Sequence, residues 1–212
     1  MATTIVTGKV RLSYEHIWVA KATIEGGEPK YSASILIPKT DEKTVAAIKE
    51  AIKAERNSEW PNKDKRPNNI KNPLKDGDEA VDKNGNPRKE CQGHYIINAT
   101  SKQRPGIINL EKEDILDKSE VYSGCYIRCQ ISFAPYNLPT SKGVACYLNN
   151  IQKLADGKPL GNRKSAKDVF SNDYAPTKEE LNDEFGDSND DADESEQKPR
   201  TGKTGKKNNL NF

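Results

Sequence analysis

The stretch Tyr122-Ser-Gly-Cys-Tyr-Ile-Arg-Cys-Gln-Ile-Ser-Phe-Ala-Pro-Tyr-Asn137 decides the fold, because it alternates between two kinds of side chain. The odd positions from Cys125 to Phe133 are apolar, whereas most even positions carry aromatic, cationic or polar groups. Successive side chains of a β-strand point to opposite faces of the sheet. The stretch therefore predicts a strand with one core face, and a second face that displays Tyr122, Tyr126, Arg128 and Gln130.

The following run, Lys142 to Lys153, is predicted to pair with this strand as a hairpin. Its inward positions are Val144, Cys146 and Leu148. Asn149-Asn150 breaks the alternation before Ile151, which indicates a β-bulge.

Three further strands precede this hairpin. Residues 4–19 alternate with even positions inward, so Lys9 and Arg11 share the outward face. Residues 31–37 and 93–101 alternate with odd positions inward, which leaves His94 and Asn98 outside. The predicted core positions of the three strands are Val6, Val10, Leu12, Tyr14, Tyr31, Ala33, Ile35, Ile37, Tyr95, Ile97 and Ala99.

One amphipathic helix follows the second strand. Thr40 or Asp41 is its predicted cap, and it extends to about Asn57. Its apolar positions recur at helical spacing; they are Val45, Ala47, Ile48, Ala51 and Ile52.

Residues 58–90 form a long irregular insertion, and its bases include Lys63, Lys65, Arg66, Lys71 and Lys75. Either the insertion is a flap over a polyanion or it is an ordinary solvated loop.

These elements predict a mainly β chain. A curved antiparallel sheet of five strands closes into a barrel, and the five-stranded OB barrel, which binds oligonucleotides on its strand face, fits the count. We expect an OB-like domain over residues 1–157, a weakly ordered extension over 158–185 and a disordered tail over 186–212.

The charge distribution supports this division. Hydrophobic residues make up 33% of the chain and charged residues 31%. This hydrophobic fraction is low for a chain that folds into a compact core over its whole length. Residues 179–196 hold ten acids and no base, and residues 197–212 hold five bases and no acid. Residues 1–177 keep 28 Lys and Arg against 22 Asp and Glu, a net charge of +6.

Several function classes find no support in the sequence. There is no membrane-length apolar run and no signal sequence, so we expect a cytoplasmic protein, in the host cytoplasm if phage-encoded. No catalytic or phosphate-loop motif is present, and we predict neither an enzyme nor a cofactor. Cys125 and Cys129 lie ~13 Å apart along a strand, too far for one zinc ion with bonds of ~2.3 Å, so we predict no metal site.

The outward residues of the strands predict a nucleic-acid surface. Aromatic rings stack on bases of any sequence, and cations neutralise phosphates. The candidate DNA-binding residues are Lys9, Arg11, Lys30, His94, Asn98, Lys102, Arg104, Tyr122, Tyr126, Arg128 and Gln130.

Four segments resemble a family of phage and prophage single-stranded DNA-binding proteins. They are Lys102-Gln-Arg-Pro-Gly106, Tyr122-Ser-Gly-Cys-Tyr126, Gly143-Val-Ala-Cys-Tyr-Leu-Asn-Asn-Ile-Gln-Lys153 and Asp156-Gly-Lys-Pro-Leu-Gly161. The resemblance covers roughly residues 3–175. It implies an OB fold, sequence-tolerant binding of single-stranded DNA in phage replication, recombination or repair, and an acidic C-terminal tail.

Alternatives of other classes stay open at this point. One is a non-enzymatic phage structural or protein-interaction module, and another is a metal-dependent nuclease. The acidic tail either serves solubility, or competes with DNA for the basic face and recruits replication or recombination proteins. A homodimer is compatible with the sequence.

Overall fold

Eight strands and one α-helix make up the part of the chain that the computed structural model describes, residues 2–22 and 25–160. The predicted tail over 186–212, and the extension beyond residue 160, lie outside the described residues. The elements are β1 (Thr3–Val6), β2 (Val10–Lys21), β3 (Lys30–Pro38), α1 (Glu42–Glu59), β4 (Leu74–Asp76), β5 (His94–Ser101), β6 (Gly106–Ile108), β7 (Tyr126–Leu138) and β8 (Ser141–Ala155).

Five of the strands close into a ring in the order β2, β3, β5, β8, β7 and back to β2. The pairings are antiparallel, except that β5 and β8 run parallel where Ala99 and Thr100 meet Cys146 and Tyr147. β1 adds to the outer edge of β7, and β6 adds to β8. The predicted mainly β, OB-like fold is confirmed, with two parallel pairings, β5 with β8 and β6 with β8, that the alternation alone did not predict.

The β7–β8 hairpin supplies much of the core inside this ring. Each predicted inward residue of its strands is buried, and so are Ala33, Ile35 and Ile37 of β3 and Ile97 and Ala99 of β5. The other two predicted inward residues of β3 and β5, Tyr31 and Tyr95, are only half-buried. The predicted bulge is present too, because Gln130 pairs with Asn150 while Ile131 pairs with Leu148, which leaves Asn149 without a partner position. A second, smaller cluster on the outer side of the sheet buries Leu36, Cys91 and Ile96.

Strand β7 begins at Tyr126 and not at Tyr122, which corrects the prediction from alternation. Gly124 has a φ of 120°, a conformation that turns the chain immediately before the strand. Tyr122 therefore precedes the strand, although Cys125 is still buried.

The predicted strand over residues 4–19 is two strands, and two of its predicted core residues are exposed. β1 ends at Val6, which is 56% exposed, and the chain turns at Thr7 before β2. Tyr14 is 60% exposed because the pairing of β2 with β3 shifts register between Ser13 and His16. The irregularity moves Ile17 into the core in place of Tyr14.

Helix α1 begins after Asp41, whose carboxylate accepts a hydrogen bond from the Thr44 backbone N–H at 3.1 Å. This is the N-cap arrangement that short polar side chains favour. The helix buries the predicted residues except Ala47, which is exposed, since it lies on the solvent side of the apolar stripe. It packs against β1, β7 and β8.

The insertion, which we define as residues 61–92, contains more structure than predicted. β4 pairs with the first half of β5, and Lys71 bonds to the β7–β8 hairpin through Lys71 N–H to the Lys142 carbonyl (2.9 Å) and Val144 N–H to the Lys71 carbonyl (3.2 Å). The insertion thus fills the side of the ring where β5 and β8 share only two residue pairs. Within the described residues, no helix is both long and apolar enough to span a membrane.

Candidate nucleic-acid interface

A row of outward side chains crosses the ring at one level. His16 pairs with Ser32, Ser32 with Thr100, and Thr100 with Tyr147. Paired residues of neighbouring strands project from the same face of a sheet. A second level holds Ser34 and Asn98, which bond to each other at 2.7 Å.

This outward face forms the floor of a groove of about 1220 Å³, and the insertion forms the opposite wall. The strands contribute Tyr14, His16, Ser32, Ser34, Asn98 and Thr100, among others. In OB folds the face formed by the second and third strands of the barrel binds oligonucleotides. In this ring those strands are β3 and β5.

The groove is basic. Four cations line it, namely Lys21, Lys75, Lys83 and Arg88. The two acids that line it are Asp76 and Glu79, and Asp76 is already paired with Lys39 at 2.6 Å. Hydrogen bonds from Lys39 and from backbone N–H groups hold the pKa values of Asp76 and Asp78 below their ordinary value. The charges of the groove lining that have no ion-pair partner therefore sum to a positive charge.

One end of the groove is formed by Tyr14 and Arg88. The Arg88 guanidinium lies 4.7 Å from the centre of the Tyr14 ring, and its Nε donates to Glu90 at 3.0 Å. A second cavity of about 620 Å³ shares Tyr14, His16 and Arg88 with the groove and extends to Ser123 and Leu160. The two cavities together lead from the β3–β5 face toward the turn before β7.

Five of the sequence-predicted residues lie together beyond that turn, and we call them the tyrosine face: Lys9, Arg11, Tyr122, Tyr126 and Arg128. Lys9 and Arg11 lie 5.3 Å and 5.9 Å from the Tyr126 ring centre. Arg128 is exposed, and its Nε donates to the Thr7 carbonyl at 3.2 Å.

Two members of the tyrosine face also hold the chain around residues 156–160. The Arg11 guanidinium donates to the carbonyls of Gly124 (3.1 Å) and Lys158 (2.6 Å). The Tyr122 hydroxyl donates to the Gly157 carbonyl at 2.9 Å. These contacts give both side chains a structural role beside the predicted one.

The remaining predicted residues are dispersed. Asn98 lies in the groove, and Gln130 accepts a bond from Asn150 at 2.7 Å on β7. Lys102, just beyond the end of β5, pairs with Glu28 at 3.0 Å, and Lys30 lies near the same carboxylate.

His94 and Arg104 complete the set. His94 Nδ1 lies 2.8 Å from the Gln92 carbonyl at the start of β5. Arg104 lies 5.1 Å from the Trp18 ring centre, and Trp18 itself is half-buried against the core.

The candidate set from the sequence left out Tyr14, His16, Ser32, Thr100 and Arg88, which belong to one surface in the structure. Tyr14 was assigned to the core by parity, and Arg88 falls in a stretch without periodicity. The Ser and Thr residues share their strand faces with the predicted Asn98, and this was the only available signal.

The four cysteines are buried, and burial raises the pKa of each thiol, that of Cys129 to about 12. Among the described residues, no three His, Cys, Asp or Glu side chains cluster in a way that suits a metal ion. The cysteines therefore act as apolar packing groups in the part of the chain described here.

A family model described as "Enterobacter phage Enc34, ssDNA-binding protein" matches residues 3–185. The chain belongs to this family. A solved structure of the single-stranded DNA-binding protein from bacteriophage Enc34 in complex with ssDNA is 29% identical, with a TM-score of 0.63, over 74% of this chain and 89% of that one.

Two further structures agree in fold. A second structure of the single-stranded DNA-binding protein from bacteriophage Enc34 is 26% identical, with a TM-score of 0.61, over 79% of this chain and 90% of that one. The single-stranded DNA-binding protein gp2.5 of bacteriophage T7 is 13% identical, with a TM-score of 0.52, over 84% of this chain and 100% of that one, and supports the fold alone. No curated protein sequence matches the chain.

Proposed function

We propose that this member of the Enc34 family binds and coats single-stranded DNA with little base preference, as a non-catalytic protein of phage DNA replication, recombination or repair. The observation that carries the proposal is the basic groove on the outward β3–β5 face of an OB-like ring. The family match supports the same ligand.

The lining of the groove favours sequence-tolerant binding. Its hydroxyls on Ser32, Ser34 and Thr100 bond to any base edge or phosphate, and its lysines neutralise phosphates without reading sequence. The Tyr14 ring offers a stacking surface that every base can use. A duplex keeps its bases paired and stacked inside, so a single strand gains more from this lining.

The tyrosine face is proposed as the continuation of the DNA path. The second cavity extends from Tyr14 and Arg88 to Ser123, the neighbour of Tyr122. Lys9, Tyr126 and Arg128 then present two charges and a ring beyond the turn. A strand that leaves the groove at Tyr14 meets these groups next.

The test is fluorescence anisotropy with labelled oligo-dT and a blunt duplex of equal phosphate number over a salt series. The proposal expects tight oligo-dT binding that weakens steeply with salt, weaker duplex binding, and similar affinity for mixed-base single strands. Equal affinity for single strand and duplex at each salt concentration contradicts it. Intact labelled DNA after incubation with Mg²⁺ is expected, and its degradation would replace the proposal with a nuclease.

A further inference from the structure

Tyr14 adopts a backbone conformation that bulky residues rarely occupy. Its φ is 47°, in the left-handed region, inside strand β2. Non-glycine residues in this region are strained and cluster at ligand-binding positions. The Ser123 hydroxyl accepts the Tyr14 backbone N–H at 3.0 Å and so fixes the distortion.

The distortion moves the ring out of the core and places it at the junction of the two cavities. The side chain is 60% exposed although it precedes Glu15 and His16 in a strand whose neighbours Leu12 and Ile17 are fully buried. An apolar core position would bury the same ring at no backbone cost. The strained geometry therefore keeps a large aromatic surface open to the groove.

The second residue at this junction is Arg88, which belongs to the insertion. Glu90 holds its Nε, and the guanidinium lies over the Tyr14 ring at 4.7 Å. Its Nη2 is sealed from solvent and has no hydrogen-bond partner among the described residues. That atom is out of reach of a ligand in this conformation, so DNA can meet only the exposed part of the Arg88 side chain, 19% of its area.

We propose that Tyr14 and Arg88 form a nucleotide clamp, in which the open surface of the Tyr14 ring stacks on one base and the charge of the Arg88 guanidinium attracts the adjacent phosphate. The inference rests on the proposed single-stranded DNA binding and names the anchor of that site. The clamp joins the barrel, through the β2 distortion, to the insertion. It thereby gives the insertion a direct part in binding.

The test uses Tyr14→Gly, Tyr14→Phe and Arg88→Ala, with Arg56→Ala as the control that removes an equal charge from the exposed side of helix α1. Oligo-dT affinity and salt slope are measured by anisotropy, and folding by thermal melting. Tyr14→Gly is informative because glycine accepts a positive φ without strain, so its folded state is not expected to be lost.

The clamp predicts that Tyr14→Gly weakens oligo-dT binding by roughly 5-fold to 150-fold while Tyr14→Phe stays near wild type. Arg88→Ala is expected to reduce the slope of log affinity against log salt by about 0.7, the value for one phosphate on a single strand, and Arg56→Ala to leave it unchanged. Wild-type affinity and slope in folded Tyr14→Gly and Arg88→Ala overturn the clamp. If wild-type protein itself fails to bind oligo-dT, the proposed function fails as well.

Discussion

Thr7 is the residue that fastens the junction of β1 and β2 to the central hairpin. Its side chain is 1% exposed, and its hydroxyl accepts the Cys129 backbone N–H at 3.1 Å and donates to the Gly8 carbonyl at 2.9 Å. Its own N–H donates to the Cys129 carbonyl at 3.0 Å. Thr7 thus continues the hydrogen bonding to β7 at the point where β1 ends.

Thr7→Val keeps the shape of the side chain and removes both hydroxyl bonds. Because the Cys129 N–H is then buried without a partner, we expect a loss of about 1–3 kcal/mol in the free energy of unfolding. Urea denaturation measures it. Thr7→Ser retains the hydroxyl and is the control; equal stability of Thr7→Val and wild type would show that the bond contributes nothing.

At the scale of elements, an ion-pair clasp holds the insertion against the barrel. Lys39, at the end of β3, contacts Asp76 at 2.6 Å and Asp78 at 2.7 Å, and Asp78 accepts the Gly93 N–H at 2.6 Å. The clasp joins the insertion to the start of β5. It therefore stabilises the wall of the groove that carries Arg88.

The clasp is expected to weaken in acid. The pKa of Asp76 and of Asp78 lies below the ordinary 3.8, first because each carboxylate accepts a hydrogen bond from Lys39. A depressed pKa contributes stability that is present above the ordinary value and is lost as pH falls through the folded value. Hydrogen exchange, normalised to intrinsic rates, should show the Gly93 amide keeping its protection down to about pH 4 and losing it as pH falls further, below the ordinary 3.8.

Two variants test whether the carboxylate is the cause. Asp78→Asn should remove much of the Gly93 protection at neutral pH. Asp117→Asn is the matched control, since the pKa of Asp117 is lowered as well but by bonds to Ser119 outside the insertion. A Gly93 amide that is equally protected in Asp78→Asn and wild type argues against the clasp.

The elements that could be predicted are those in which buried and exposed side chains repeat at the spacing of a strand or a helix. β3, β5, β7 and β8 alternate over most of their predicted inward positions, although Leu36 and Ile96 are buried on the other face, and the Asn149-Asn150 break marked the bulge. Tyr14 was misassigned because a single left-handed residue reverses parity, and nothing in the residue type indicates it.

The site was less predictable than the fold. The groove depends on the insertion, whose contacts, such as Lys39 with Asp76, join residues far apart in sequence. Arg88 lies in an aperiodic stretch, so its position over Tyr14 follows from tertiary packing alone. The tyrosine-face residues, found by parity, remain a prediction.

At the scale of the whole molecule, charge is divided along the chain. Residues 1–177 carry a net +6, and residues 179–196 carry ten acids without a base. We expect an acidic segment on a chain with a basic groove to compete with DNA phosphates at low salt.

Replacing these ten acids by Asn and Gln in the full chain should therefore tighten oligo-dT binding at low salt, and the gain should shrink as salt screens the charges. Anisotropy titrations at two salt concentrations measure the difference. A control replaces the same number of Ser, Asn and Thr positions outside the groove with Gln. Unchanged or weaker binding of the neutralised chain would contradict the competition.

The central claim, that single-stranded DNA lies in the groove, is tested most directly by lysine footprinting with and without saturating oligo-dT, read by mass spectrometry. The account predicts that Lys21, Lys75 and Lys83, which line the groove, are protected by DNA. Lys43 and Lys53 on helix α1 are exposed and should react as before. If the three groove lysines react equally with and without bound DNA, the strand does not lie in the groove and the account is wrong.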